Sequence, residues 1–109
     1  MVVGIARIVL GIPEARSLKD KRSVVRRVID RSRAKFNVAM AEVGDNDVHR
    51  RAVIGVSVVS NDRRHVNEML DTILAFVSGA SEALVLDRQI EIETYEDHFG
   101  MADMDGRDG

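Results

Sequence analysis

The hydrophobic residues of this chain recur with periods that change along the sequence, and each period predicts an element. Val2–Ile12 is a nearly continuous apolar run, rich in β-branched residues, that ends at Pro13, the only proline. Such a run predicts a strand that is apolar on both faces and therefore central in its sheet. From Ser17 to Phe36 the apolar residues follow helical spacing, and Ser17 and Asp20 offer an N-cap and a first-turn acid. We therefore expect the first helix at Ser17–Phe36.

The middle of the chain predicts a hairpin and a second helix. Asn37–Val43 and Arg51–Ser60 are rich in strand-forming residues, and the turn-forming Gly44-Asp45-Asn46-Asp47 joins them. Ser60–Asp62 then offers helix N-caps, and the apolar residues that follow recur at i, i+3, i+4 and i+7 until Gly79. The apolar residues of this second helix are Val66, Met69, Leu70, Ile73, Leu74 and Val77.

The last apolar segment, Leu84–Glu93, alternates between apolar and polar residues, which predicts a half-buried strand. The residues expected to face the core are Leu84, Leu86, Ile90 and Ile92, and those expected to face away are Asp87, Gln89, Glu91 and Glu93. Residues 96–109 are acidic and rich in glycine and lack spaced apolar anchors, so we expect a disordered C-terminal tail there. The predicted domain therefore comprises residues 1–95.

The resulting order βαββαβ is that of a ferredoxin-like α+β fold. It predicts a four-stranded antiparallel sheet with both helices on one face. Right-handed crossovers then fix the directions of the elements. We expect the first helix to begin at the end of the sheet where the hairpin turns, and to end beside the start of the second helix.

Basic charge is concentrated in the first predicted helix. The segment Lys19–Lys35 has eight basic and two acidic residues, a net charge of +6, whereas the whole chain has a net charge of −2. A basic element in an acidic protein is typical of a surface that binds phosphate groups. On a helical wheel one stripe, about 20 Å long, contains Lys19, Arg22, Arg26 and Arg33.

We therefore predict a non-catalytic surface that binds RNA phosphates electrostatically. The predicted contacts are Lys19, Lys21, Arg22, Arg26 and Arg33 in the helix and Arg50 and Arg51 at the hairpin end. Two alternatives remain open for the basic helix: a solvated surface without a ligand, and a surface for an acidic protein. Base stacking on the sheet is not expected, because none of the four aromatic residues lies in the middle of a predicted strand.

A set of short motifs is distributed over about residues 1–95. The motifs are Ser17-Leu18-Lys19-Asp20-Lys21-Arg22, Phe36-Asn37-Val38, Ala41-Glu42-Val43, Ile54-Gly55 and Val59-Ser60-Asn61-Asp62. Together they resemble the YlxP-like family, small bacterial ferredoxin-like domains of long-unknown function. Genes of that family often lie beside those of a translation initiation factor and a ribosome-binding assembly factor, so the resemblance implies a role around ribosomal RNA or a ribosomal subunit. Where this chain has His49, the family tends to have an aromatic residue.

The sequence offers little for catalysis or metal binding. The absence of cysteine excludes disulfides, Fe–S clusters and thiolate zinc sites. Glu42, Asp45 and Asp47 lie near His49 in the sequence and could hold a divalent cation, but hairpin turns favour aspartate for conformational reasons alone. There is no glycine-rich phosphate loop, nucleophile elbow or zinc motif. We expect no catalytic site, no bound metal and no cofactor.

The longest apolar run is interrupted by Arg7 and is shorter than the roughly 20 residues that a membrane span needs. We therefore expect a cytoplasmic protein that does not enter a membrane. A second hypothesis is a homodimeric interaction module, or a small-ligand sensor similar to ACT domains, without a nucleic-acid role. It depends on the open face of the sheet, where Val53, Gly55 and Val59 are expected beside the apolar first strand.

Overall fold

The computed structural model describes residues 1–80 and 82–96, which form four strands and two helices. The elements are β1 (Val2–Gly11), α1 (Leu18–Lys35), β2 (Ala39–Gly44), β3 (Arg51–Ser60), α2 (Arg63–Ser78) and β4 (Leu84–Thr94). The strands form one sheet in the order β2-β3-β1-β4, and all three neighbouring pairs are antiparallel. This is the predicted ferredoxin-like fold, with β1 in the interior of the sheet as expected. The predicted tail lies, from residue 97 onward, outside the described residues.

Both helices begin at the N-caps that the sequence offers. Ser17 Oγ accepts a hydrogen bond from the backbone N–H of Asp20 at 3.1 Å, and Asp20 Oδ2 accepts one from the N–H of Arg16 at 2.9 Å. At α2 the cap is Asp62, whose Oδ1 accepts from the N–H of Arg64 at 3.0 Å. These contacts satisfy backbone donors that have no partner within the helix. Neither of the described helices combines the length and apolar character that crossing a bilayer requires.

The core lies between the helices and one face of the sheet. Alternate residues of β1 and β3 point into it and are buried. Among the described glycines, Gly4 has the closest neighbours: an added Cβ would lie 2.4 Å from Cγ1 of Val66 and 2.9 Å from Cδ1 of Leu70. Helix α2 therefore packs directly on the backbone of β1, and any side chain at position 4 would push the helix outward.

A bulge in β4 overturns one prediction about its faces. In the β1–β4 register, Val9 pairs with Asp87 and Leu10 pairs with Val85, so Leu86 is an extra residue. Ile90 and Ile92 remain on the helix side as expected. The extra residue reverses the alternation, so Leu84 and Leu86 turn to the open face away from the helices, where they are exposed. The prediction that these two leucines face the core is therefore wrong.

Candidate nucleic-acid interface

The basic stripe of α1 borders a shallow groove between this helix and β2, an edge strand. The groove has a volume of about 400 Å³. Its lining comprises Arg22, Val25, Arg26, Ile29, Asp30 and Arg33 from α1 and Met40, Ala41 and Glu42 from β2. Lys19 continues the exposed surface toward the start of the helix and lines a second depression together with Arg22 and Arg26. The structure thus brings four of the predicted phosphate contacts together on one side of the molecule.

The cationic groups of this stripe remain available to a ligand. Lys19, Arg22 and Arg26 are exposed, and none of them has an ion-pair partner among residues 1–80 and 82–96. Arg33 differs, since its Nη2 donates to the backbone carbonyl of Met40 at 2.8 Å. That bond fixes its guanidinium over the edge of β2 but leaves the positive charge without a counter-charge. The four charges are spaced about 4.5, 6 and 10.5 Å apart along the helix axis at the usual rise per residue.

Lys21 is not part of this surface, and its predicted contact with phosphate is wrong. Its side chain is 0 % exposed. Its Nζ donates to the carbonyl oxygens of Asp45 at 2.7 Å, Asn46 at 3.3 Å and Arg51 at 3.3 Å, and lies 2.8 Å from Oε2 of Glu42. An ammonium group has three protons, so these three carbonyls use its donors and the contact with the carboxylate is mainly ionic. Lys21 therefore anchors the β2–β3 hairpin to the first turn of α1.

The two arginines predicted at the hairpin end occupy different positions. Arg50 is exposed, and its Nε donates to the carbonyl of Ala15, in the loop that precedes α1, at 3.3 Å. This arginine lies near the N-terminal end of the basic stripe. Arg51 is opposite Gly11 in the sheet register, on the open face, and its Nε lies 2.7 Å from Oδ2 of Asp45. Arg51 is therefore partly neutralised and points away from the groove.

The opposite flank of α1 is used for packing within the protein. Arg27 forms an ion pair with Glu82 and also donates to Oγ of Ser23 at 2.9 Å. The Lys35 Nζ lies 5.0 Å from the ring centroid of Phe76, within the range of a cation–π contact. Arg31 is exposed beside them. The helix thus separates a ligand-accessible stripe along β2 from a flank that contacts α2 and the segment before β4.

Two acidic groups moderate the potential of the groove. The carboxylate of Glu42 is balanced by Lys21. Asp30 is exposed and lines the groove between Arg26 and Arg33. An exposed carboxylate at this position opposes the binding of phosphate and lowers the net charge of the stripe.

The turn itself explains one of the hairpin acids, Asp45. Asp45 has a positive φ of 57°, a conformation that aspartate tolerates better than most residues, and its side chain is paired with Arg51. Within residues 1–80 and 82–96, no three histidine, aspartate or glutamate side chains come together in a group that could hold a metal ion.

The role of Lys21 as a buried anchor was not predicted, although the sequence contained a signal for it. Lys21 precedes Val24, Val25 and Val28 by three, four and seven residues, and these are buried residues of α1. Helical periodicity therefore assigns Lys21 to the buried side of the helix rather than to the exposed stripe. The local sequence does not identify the groups that contact the Lys21 ammonium, because these groups lie 21 to 30 residues further along the chain.

The fold and this surface together define a small ferredoxin-like α+β domain with a basic groove between its first helix and an edge strand. A family model described as "Protein of unknown function (DUF503)" matches residues 3–90, and the chain belongs to that family. The chain is also similar to "Uncharacterized protein YlxP" of Bacillus subtilis (strain 168), with 36 % identity over 81 residues that cover 74 % of this chain and 88 % of that protein. These similarities confirm the resemblance to the YlxP-like family.

Two designed proteins are similar in structure. Foldit4 has a TM-score of 0.49 and 10 % identity, covering 88 % of this chain and 100 % of the designed chain. LFR1, described as having a ferredoxin fold, has a TM-score of 0.48 and 12 % identity, covering 86 % of each chain. At these scores neither similarity adds to the description of the site.

Proposed function

We propose that this protein binds structured RNA through the exposed stripe Lys19, Arg22, Arg26 and Arg33, with Arg50 extending the surface, and that it has no catalytic role. The observation that carries the proposal is a row of four exposed cations along one side of α1, none of which has an ion-pair partner among the described residues. Long-range attraction of this kind supplies much of the affinity of proteins for nucleic acids. Ribosomal RNA, free or in a ribosomal subunit, is the partner we propose.

The shape of the surface supports a nucleic-acid backbone as the ligand. A row of charges about 21 Å long, set along a straight helix at the rise of 1.5 Å per residue, can follow several phosphates in succession. A groove about 400 Å³ in volume, open to solvent, offers no enclosed pocket for a single base. We therefore propose that RNA is recognised by its shape and its phosphates rather than by its sequence.

The open face of the sheet is a poor alternative surface for RNA. Asp87, Glu91 and Glu93 lie on that face of β4, because they pair in register with Val9, Ile5 and Val3 of β1. Their carboxylates repel phosphate. The four described strands contain no aromatic residue on which a base could stack. These features support assignment of the ligand to the helix side of the molecule.

The proposal is tested by sedimentation of the protein through a gradient with ribosomal subunits and free RNA. We expect co-migration with RNA or one subunit at 50 mM salt and a large loss at 200 mM salt, as expected for phosphate contacts. The triple variant Lys19→Gln, Arg22→Gln, Arg26→Gln should stay at the top of the gradient. Migration of the wild-type protein at the top under both conditions would contradict the proposal.

A charge-matched control distinguishes RNA binding through the stripe from binding that depends only on the net charge of the protein. The variant Arg31→Gln, Arg64→Gln, Arg88→Gln removes the same three positive charges from exposed positions outside the groove. It should co-migrate with RNA as the wild-type protein does. Equal loss in both triple variants would show that binding depends on total charge, and the stripe would then not be the site.

A further inference from the structure

The basic stripe of α1 carries more positive charge than its surroundings neutralise. Its four cations share the groove and the adjoining depression with one carboxylate that has no ion-pair partner among the described residues, that of Asp30. The carboxylate of Glu42 also lines the groove, but Lys21 balances it. The stripe therefore keeps a net charge of +3, and such a surface attracts a chain of the opposite sign.

The C-terminal segment, residues 97–109, has that opposite sign. It contains four aspartates, one arginine and one histidine, a net charge of −3 with the histidine neutral. Three of the aspartates, Asp103, Asp105 and Asp108, fall within six residues. Carboxylates form strong hydrogen bonds with charged donors such as guanidinium groups. The charges of the C-terminal segment and of the stripe are therefore complementary.

The C-terminal segment starts at the end of the sheet where α1 ends. Tyr95 is held beside the start of β1, where its N–H donates to the carbonyl of Met1 at 2.7 Å and its carbonyl accepts from the N-terminal ammonium at 3.0 Å. Strands β1 and β2 are parallel to each other, since each is antiparallel to β3. Helix α1 connects them, so it runs back and ends where β1 begins.

The sheet register gives the distance from this point to the stripe. Ile90 lies opposite Met40 across β1 and β3, a separation of three strand spacings or about 14 Å. Glu96 is six residues beyond Ile90, about 20 Å along the strand direction at about 3.3 Å per residue. The carbonyl of Met40, which holds the guanidinium of Arg33, is therefore about 25 Å from Glu96.

A chain of this length reaches the half of the stripe that is nearer to the end of α1. An extended chain spans about 3.3–3.6 Å per residue, so Asp103, seven residues beyond Glu96, reaches Arg33. Arg26 lies about 10.5 Å further along the helix axis, about 34 Å from Glu96. Asp108 is twelve residues beyond Glu96 and can span about 40 Å.

Two arginines closer to the start of the C-terminal segment already have partners. Nη2 of Arg63 donates to the carbonyl of Ile92 at 2.9 Å. Nε of Arg64 lies 3.8 Å from Oε2 of Glu68. The guanidinium of Arg33, by contrast, has no counter-charge among the described residues. The stripe is therefore the stronger attractor for the aspartates.

We infer that the C-terminal segment binds the half of the stripe at Arg26 and Arg33, with Asp103 and Asp108 as its main contacts, and so competes with RNA. The competition rests on the proposed function of the stripe, whereas the contact rests on charge and reach. A tether of this length gives an effective concentration in the millimolar range, which compensates for the weakness of exposed ion pairs. We expect the contact to be about half formed at 50 mM salt and largely screened at 200 mM.

The contact is tested on the full chain without RNA. The sequence has no cysteine, so Ala102→Cys provides a single site for a nitroxide spin label. At 50 mM salt we expect paramagnetic broadening of the amide signals of residues 26–33 and of Met40, and its loss at 200 mM. The same label in the variant Asp103→Ser, Asp105→Ser, Asp108→Ser should leave these signals sharp. Sharp signals in the otherwise wild-type chain at 50 mM would overturn the inference.

The competition is tested by fluorescence anisotropy with a labelled structured RNA. The triple serine variant, without the spin label, should bind RNA about twofold more tightly than the wild-type protein at 50 mM salt and equally at 200 mM. The slope of log K against log salt should therefore be steeper in the variant by about 0.5, because in the wild-type protein the segment is displaced at low salt. Equal affinities at 50 mM would contradict the competition.

The charge-matched control is Asp71→Asn, Glu91→Gln, Glu93→Gln, which removes three exposed carboxylates that do not line the groove. It should bind RNA as the wild-type protein does, and equal tightening in both triple variants would attribute the effect to net charge and contradict the competition. Broadening in a wild-type chain that does not bind RNA would support the contact and refute the proposed function. RNA binding without broadening would do the reverse.

Discussion

Replacing Lys21 by methionine should strongly destabilise the fold while leaving the exposed stripe of α1 intact. The ammonium group is buried and donates to the carbonyls of Asp45, Asn46 and Arg51 while it balances the carboxylate of Glu42. Methionine has a similar length and fills the apolar part of the space. The variant therefore removes the charge and its three hydrogen bonds with little change in volume.

The expected loss is about 3 kcal/mol of unfolding free energy. Removing one partner of a buried ion pair costs about 3–5 kcal/mol, because the remaining charge is uncompensated. The lower end applies here, since the side chain of Glu42 is 16 % exposed and water can reach the hairpin turn. A domain of this size has a total stability of roughly 5–14 kcal/mol. At about 4–8 °C per kcal/mol, the melting temperature should fall by about 12–24 °C.

Urea denaturation followed by far-UV circular dichroism measures this loss. The matched control is Lys19→Met, which makes the same chemical change two residues earlier at an exposed position and should alter stability by less than about 0.5 kcal/mol. Adding Glu42→Gln to the Lys21→Met variant removes the uncompensated carboxylate and should restore part of the loss. The remaining deficit then reports the three unsatisfied carbonyls.

The reasoning would be refuted if Lys21→Met unfolded within about 0.5 kcal/mol of the wild-type protein, a difference typical of surface substitutions. It would also be refuted if hydrogen exchange in the β2–β3 hairpin were unchanged, because the hairpin is the element that Lys21 holds. A variant that keeps its fold but loses RNA affinity would instead return Lys21 to the binding surface.

Two further predictions concern the packing of α2 and the electrostatics of the groove. Gly4→Ala should lower stability by about 1–3 kcal/mol in thermal denaturation, because the new methyl group would lie 2.4 Å from Val66 Cγ1. The control Gly79→Ala should change stability by less than about 1 kcal/mol, because a Cβ there would have no neighbour closer than 3.5 Å. Equal effects of the two substitutions would contradict the packing described for α2. Asp30→Asn should tighten RNA binding about two- to fivefold in an anisotropy titration, since it removes a carboxylate beside Arg26; an unchanged affinity would place RNA elsewhere.

The helices and strands were predictable in segments where the apolar residues keep one spacing throughout, either helical or alternating. Strand β3 was predicted at its observed bounds, Arg51–Ser60, and α1 has the predicted Ser17 cap. Local signals were sufficient in these segments because caps and turn residues act on their immediate neighbours. The topology followed from the order of the elements and the handedness of their connections.

The features that the sequence did not reveal depend on contacts between distant segments. The alternation of β4 continues through Leu84 and Leu86, and only its pairing with β1 shows that a bulge reverses their direction. The role of Arg33 at the edge of β2 likewise depends on how α1 and β2 are placed. Of the predicted site, the stripe along one side of α1 is present as expected. Lys21 in the helix and Arg51 at the hairpin end were also predicted to contact phosphate, because charge alone does not distinguish a buried or paired cation from a free one.

The most direct test of RNA binding by α1 is the salt dependence of affinity for a labelled structured RNA, measured by fluorescence anisotropy. Four phosphate contacts predict a slope of log K against log salt of about −3.6, or a loss of about 150-fold between 50 and 200 mM. The triple variant of Lys19, Arg22 and Arg26 should reduce the slope to about −0.9, while the charge-matched control retains the wild-type value. Identical slopes for the two triple variants, or a wild-type slope near zero, would contradict the proposal that this stripe binds the RNA backbone.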